Sequence, residues 1–266
     1  MKREDVEFST LDGLTLRGWL YRGSIPGPAI VTNQGFNTPK EILLLDVAVW
    51  FQQQCVTVLS YDNRSIGASD GQPRNDNQPS KPLSDISEDK IALYRYSFSA
   101  MTALVAAALD PRVAVVVSVT PITNYNFREE RDSVMALVMQ DRVSTIAGNE
   151  PVYIPFVGDD GLNPAGWGNK YNMEQFRAFL GTSFFTNQIT ARSYYHVPAR
   201  QPLGATRSPN GTPHYDEDQK ALFELIGEPK VFDLVPDRGH MVVINGDGAE
   251  GVLGNQMAFL KEYLEF

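Results

Sequence analysis

At 266 residues, with 42% apolar and 21% charged side chains, the chain has material for one α/β domain with a modest insertion and a large core. Its net charge of −9 argues against a main task of binding nucleic acid or anionic membranes, because phosphate contacts need a basic surface. No apolar run approaches the roughly 20 residues that span a bilayer, and Met1-Lys2-Arg3-Glu4-Asp5 lacks the apolar core of a secretory signal, so a cytoplasmic protein with no membrane span is expected.

In chain order, Val6 to Thr10 and Thr15 to Tyr21 alternate as strands and are joined across Asp12-Gly13, a strong hairpin signal. Ala29 to Thr32 reads as a short buried strand. Pro39 to Gln54 then reads as a helix, with Leu44, Val47, Ala48 and Phe51 on one face. Cys55 to Tyr61 is the next strand, and its lone cysteine reads as a buried structural thiol. A polar loop, Asp62 to Pro82, leads to a short strand at Ile91 to Leu93. A small-residue helix follows at Ala100 to Leu109, then a β-branched strand, Val113 to Val119, that reads as fully buried. Strands alternating with helices predict a mainly parallel sheet with helices on both faces.

From Pro121 to Tyr195 the texture changes to helical stretches, Ser133 to Met139 and Met173 to Leu180, between Gly/Pro/Asn-rich loops. The expected organisation is a core of residues 1–120 and 196–266 with a cap of residues 121–195. Lys220 to Ile226 reads as a helix, Val231 to Val235 as a strand and Gly254 to Leu264 as the closing helix.

Chemistry concentrates at Arg95-Tyr96-Ser97-Phe98-Ser99, between the strand at Ile91 and the helix from Ala100. A serine at the apex of a strand-to-helix turn is a nucleophile elbow: the turn lifts the hydroxyl and the helix start aims N–H groups at the reacting oxygen. The usual pattern is G-x-S-x-G. Ser99 is small enough for the last position, whereas Arg95 crowds the first. Of His196, His214 and His240, only His240 follows a late strand across a short loop, so it is the candidate base. On the oxyanion side Gly35 permits a tight turn after the first parallel strand, and the backbone N–H groups of Phe36 and Phe98 form the candidate donor pair. Asp62 and Arg64 read as loop braces. Asp70, Asp159 and Asp160 lack ligand spacing, so neither a metal nor a cofactor is expected.

These motifs resemble the α/β-hydrolases of fungal secondary metabolism that include polyketide transferases and thiohydrolases. The likeness rests on Leu11-Asp12-Gly13, GFNTPKE at Gly35 to Glu41 and YDNRSIGASDGQPR at Tyr61 to Arg74. It continues in SFSAMTALVAAALDPRV at Ser97 to Val113, TNQITARS at Thr186 to Ser193 and the run from Gly227 to His240. The resemblance implies Ser97 as nucleophile, His240 as base and a small-molecule acyl substrate, often thioester-bound to a polyketide synthase. The aromatic residues Tyr125, Phe127, Trp167 and Phe179 are candidate pocket lining, although core packing explains them equally well.

Three departures accompany it. Arg95 replaces the glycine before the nucleophile. Only Ser80 to Asp89 separates the polar loop from the elbow strand, so a crossover helix is missing. In place of the family's apolar strand ending in an acid, the chain has Arg200 to Gly211, with Gly211 near the acid position; a strand is missing as well. Asp216 is the candidate acid, with Asp218 beside it, both at a helix start where acids are favoured by the dipole alone. Two functions therefore stay open: an acyl transferase or thioester/ester hydrolase, and a degenerate, non-catalytic α/β-hydrolase-like binding protein.

Overall fold

The computed structural model describes residues 3–25, 27, 29–77, 91–122, 131–165, 170–179, 182, 185–196, 215–236 and 238–264. The chain divides into two compact units: Met1–Asp70 with Ser80–Pro121 and Val231–Phe266, and Gly71–Pro79 with Ile122–Lys230.

The first unit is built on six strands: β1 (Arg3–Ser9), β2 (Thr15–Tyr21), β3 (Ala29–Asn33), β4 (Thr57–Tyr61), β5 (Ile91–Tyr96) and β6 (Val113–Val119). Their order is β1-β2-β4-β3-β5-β6. β1 and β2 form the antiparallel hairpin, turned at Gly13 with φ 83°, and β2 pairs antiparallel with β4. β4, β3, β5 and β6 are mutually parallel.

The two-residue period of β5 sorts its side chains to opposite faces. Ala92, Tyr94 and Tyr96 pack with Leu44, Val47, Ala48 and Phe51 of α1 (Leu44–Gln53) and with Leu253, Met257 and Leu260 of α7 (Ala249–Leu264). Ile91 and Leu93 pack on the other face with Val31, Tyr61 and Ala103 of α2 (Phe98–Leu109). The i, i+3, i+4, i+7 spacing of the α1 residues is what drives them together, each fully buried large side chain contributing roughly 1.5–3 kcal/mol.

Several expectations change. α1 begins at Leu44 rather than Pro39, because Asp62 captures both the Lys40 backbone N–H and the Lys40 ammonium at 2.6 Å, and Leu43 turns at φ 68°. β6 is not buried on both faces; its exposure alternates, consistent with its place at the sheet edge. Val231 to Val235 forms no strand: Val231 is 68% and Leu234 54% exposed, and no described strand lies beyond β6 to offer a ladder. Cys55 is half-buried, at φ 66°, with its Sγ 3.0 Å from Ser24 Oγ. Arg200 to Gly211 and Ser80 to Asp89 lie outside the described residues.

The second unit holds α3 (Arg131–Ile146), α4 (Lys170–Arg177), α5 (Ser193–His196), α6 (Tyr215–Leu225) and a two-stranded ribbon of β7 (Tyr153–Ile154) and β8 (Ile189–Thr190). The TNQITARS motif is structural here. Arg192 pairs with buried Asp76 through Nε and Nη2, both at 3.0 Å, and Thr190 donates to the same carboxylate. Buried Asp141 accepts the Val152 N–H at 2.6 Å, and Phe156, Phe176 and Phe185 stack edge to face and tilted as an aromatic core.

Candidate active site

β5 ends and α2 begins at Ser97, whose backbone is held at φ 59°, ψ −122°. That sharp reversal is the predicted elbow, and the Ser97 N–H anchors it to the Val119 carbonyl at 2.9 Å. A non-glycine residue in this region is strained, so the surroundings must over-determine it. The side chain is buried, and Ser97 Oγ lies 2.9 Å from His240 Nε2. Two of the candidate residues, 143 positions apart in sequence, are thus in hydrogen-bond contact.

The His240 ring packs against the Tyr96 ring, with centroids 5.4 Å apart. Its loop is closed by Arg238, which donates to the Val242 and Asn245 carbonyls at 3.3 and 3.4 Å. Burial removes water that would stabilise imidazolium, so the pKa falls from 6.5 to about 4. That leaves the ring neutral and able to accept a proton at pH 7. Among the described residues no carboxylate is hydrogen-bonded to the ring. Asp216 lies in the first turn of α6, and its side chain is outside what the structure describes. The structure therefore brings Ser97 and His240 together, and the expectation for Asp216 lies outside the described side chains.

Gly35 has a role different from the one expected. It is needed for proximity rather than for a tight turn: an added Cβ would sit 2.9 Å from Ser97 Cβ and 3.2 Å from its Oγ. The loop is held against α2 by Ser99, whose hydroxyl donates to Asn33 Oδ1 at 2.9 Å and to the Gln34 carbonyl. The Phe36 and Phe98 rings meet edge to face at 5.6 Å, which sets the two residues carrying the candidate donors side by side. Thr38 Oγ1 donates to the Phe36 carbonyl at 2.8 Å.

At the far end of the loop the buried Lys40–Asp62 pair acts as a clamp. Burial pulls the Lys40 pKa down, but its bonds to Asp62 and Glu41 outweigh this and raise it overall. Asp62 also accepts the Ala68 N–H at 2.9 Å, and at Gly67, φ 52°, any Cβ would overlap its carboxylate. Arg64 pairs with Asp12 at 2.8 Å, so both expected braces are braces. Asn33, Lys40, Tyr96 and Arg238 carried no recognisable signal, since a polar residue in a strand or loop looks the same whether it is a hub or a solvated side chain. Tyr125, Phe127, Trp167 and His214 lie outside the described residues, and Phe179 sits in the turn after α4.

Arg95 does not swing out to solvent. Its 6% exposure places it inside, on the α2 face of β5. Its guanidinium stands 5.5 Å over the Tyr61 ring, and Nη2 is 3.5 Å from the Tyr61 hydroxyl. Burial lowers its pKa.

No family model matches the chain. It is 66% identical to the polyketide transferase af380 of Aspergillus fumigatus over all of both chains. That alignment spans 292 positions against 266 residues here. It is 38% identical to a thiohydrolase of Eupenicillium brefeldianum, covering 97% of this chain and 94% of the relative. The crystal structure of the α/β-hydrolase GrgF from Penicillium sp. superposes with a TM-score of 0.83 at 37% identity, covering 100% of each. Relatives named as transferases and hydrolases favour the enzyme reading over the binding protein. By its strand order, its elbow and these identities, the chain belongs to the α/β-hydrolase family of fungal polyketide transferases and thiohydrolases.

Proposed function

We propose that the chain is a serine-dependent enzyme that transfers or hydrolyses a polyketide-type acyl group held as an ester or thioester. The observation that carries this is the 2.9 Å bond between Ser97 Oγ and a neutral His240 Nε2 at the elbow. Ser97 Oγ attacks the acyl carbonyl while His240 Nε2 takes the hydroxyl proton. The tetrahedral oxyanion accepts hydrogen bonds from the Phe36 and Phe98 backbone N–H groups. Its collapse breaks the bond to the thiol or alcohol, and imidazolium returns the proton to that leaving group. Water or an acceptor then attacks the acyl-serine by the same steps in reverse.

Asp216 stays in this proposal as the group that would orient the imidazole. So do a synthase-bound carrier as acyl donor, a cytoplasmic setting, and residues 121–195 as a cap supplying the acyl pocket. Carrier and substrate class find support in the names of the relatives, a polyketide transferase and a thiohydrolase.

The test is labelling of the whole chain with a serine-reactive fluorophosphonate, mapped by mass spectrometry, beside turnover of an acyl thioester. Ser97→Ala should abolish the label and lower turnover by roughly 10³-fold or more. A folded Ser97→Ala protein that still labels and turns over rules Ser97 out.

A further inference from the structure

We propose that Arg95 anchors a buried site for a small monovalent anion, either a halide ion or a carboxylate. Arg95 lies opposite Asn33 of β3 and Ser118 of β6, on the face of the sheet that α2 covers. It is 6% exposed, and its Nη1 has no hydrogen-bond partner. Guanidinium does not shed its proton in proteins, so this position holds a full positive charge away from water. An isolated buried charge is strongly unfavourable unless paired.

The described residues of this unit do not supply the pair. Asp62 is its only buried acid, and Lys40 and the Lys40 and Ala68 backbone amides occupy both carboxylate oxygens. The neutral acceptor beside Arg95 is committed too: Asn33 Oδ1 takes the Asn63 amide and the Ser99 hydroxyl. Tyr61 is different. Its hydroxyl accepts from Arg95 Nη2 at 3.5 Å, which leaves its own proton to donate. Arg95 Nη1, which has no hydrogen-bond partner, and the Tyr61 O–H are therefore two donors on adjacent side chains. α2 starts three residues after Arg95, and the positive end of its dipole adds to the same field. The net charge of −9 disfavours diffuse anion attraction, which lowers the background against which a specific site is read.

The experiment is the thermal midpoint of the full chain titrated with sodium chloride or sodium formate. Ionic strength is held constant with sodium gluconate, whose anion is too bulky for the site. The midpoint should climb by roughly 2–6 °C and saturate, as expected for a ligand that binds only the folded state. A response to chloride identifies the free ion, and a response to formate alone identifies a carboxylate. The climb should vanish in Arg95→Met, and in Tyr61→Phe it should need several-fold more anion. A wild-type midpoint that does not move, or an equal climb in Arg95→Met, overturns the site. If Arg95→Met does not fold, an unaltered titration in Tyr61→Phe overturns it instead. None of these readouts depends on the catalytic proposal.

Discussion

Gly35→Ala tests whether the loop and Ser97 are held in close contact. The new Cβ would lie 2.9 Å from Ser97 Cβ, whereas carbon atoms settle at roughly 3.5–4.0 Å, so loop and elbow must part by about 0.6–1.1 Å. The hydrogen bonds from Ser99 to Asn33 and Gln34 resist that movement. Overpacking of this kind costs about 1–3 kcal/mol, which in a chain of this size lowers the midpoint by roughly 2–10 °C. Because the parting occurs between the proposed nucleophile and the proposed oxyanion donors, kcat/KM should fall on the order of 10²-fold. Midpoint by circular dichroism, acyl-thioester turnover and the rate of fluorophosphonate labelling would all be read on one preparation. Gly254→Ala is the matched control: it lies in α7 with nothing within 4 Å of the added Cβ, so it should raise stability by about 0.5–1 kcal/mol and leave turnover alone. A Gly35→Ala protein with parental midpoint and parental turnover would refute the close-approach argument.

For His240, the folded chain resists protonation down to about pH 4, while the unfolded chain takes up the proton near 6.5. Its contribution to stability is therefore fully present above about pH 6.5 and is lost as pH falls towards 4, by about 3 kcal/mol at most. His240→Gln should flatten that slope in denaturation midpoints, and the acid limb of kcat/KM should fall near pH 4; a limb at 6.5 would contradict a desolvated ring. Asp62→Asn removes one of the two carboxylates paired with buried Lys40, so urea denaturation should show a loss of about 1–3 kcal/mol, and a neutral result would mean the clamp carries no weight. Ser99→Ala frees the Gln34 carbonyl and should cost about 1–3 kcal/mol by the same assay, with slower fluorophosphonate labelling; unchanged labelling would detach Ser99 from the loop.

Local pattern carried much of this chain. The period of two in β1 and β2, the Asp12-Gly13 turn and the apolar stripe of α1 are each set by neighbours a few residues apart, and such short-range preferences survive folding unchanged. Ser97 and His240 were legible because an elbow and a late Gly-His loop are also local devices. What failed was long-range. Val231 to Val235 has the composition of a strand, yet a strand exists only where a neighbour offers a ladder, and none described lies beyond β6. Lys40 stops a helix only because Asp62, 22 residues on, holds it. Gly35 reads as a turn residue until Ser97 is seen against it, and Arg95 reads only as crowding the elbow until the strand face puts it indoors. By itself the sequence determined the strand–helix alternation and the elbow, and it singled out Ser97 and His240 as the candidate pair. Tertiary structure decided which polar groups lost their water, because desolvation depends on what the rest of the chain packs around a residue. That burial lowers the His240 pKa, and it left Arg95 with one unanswered donor.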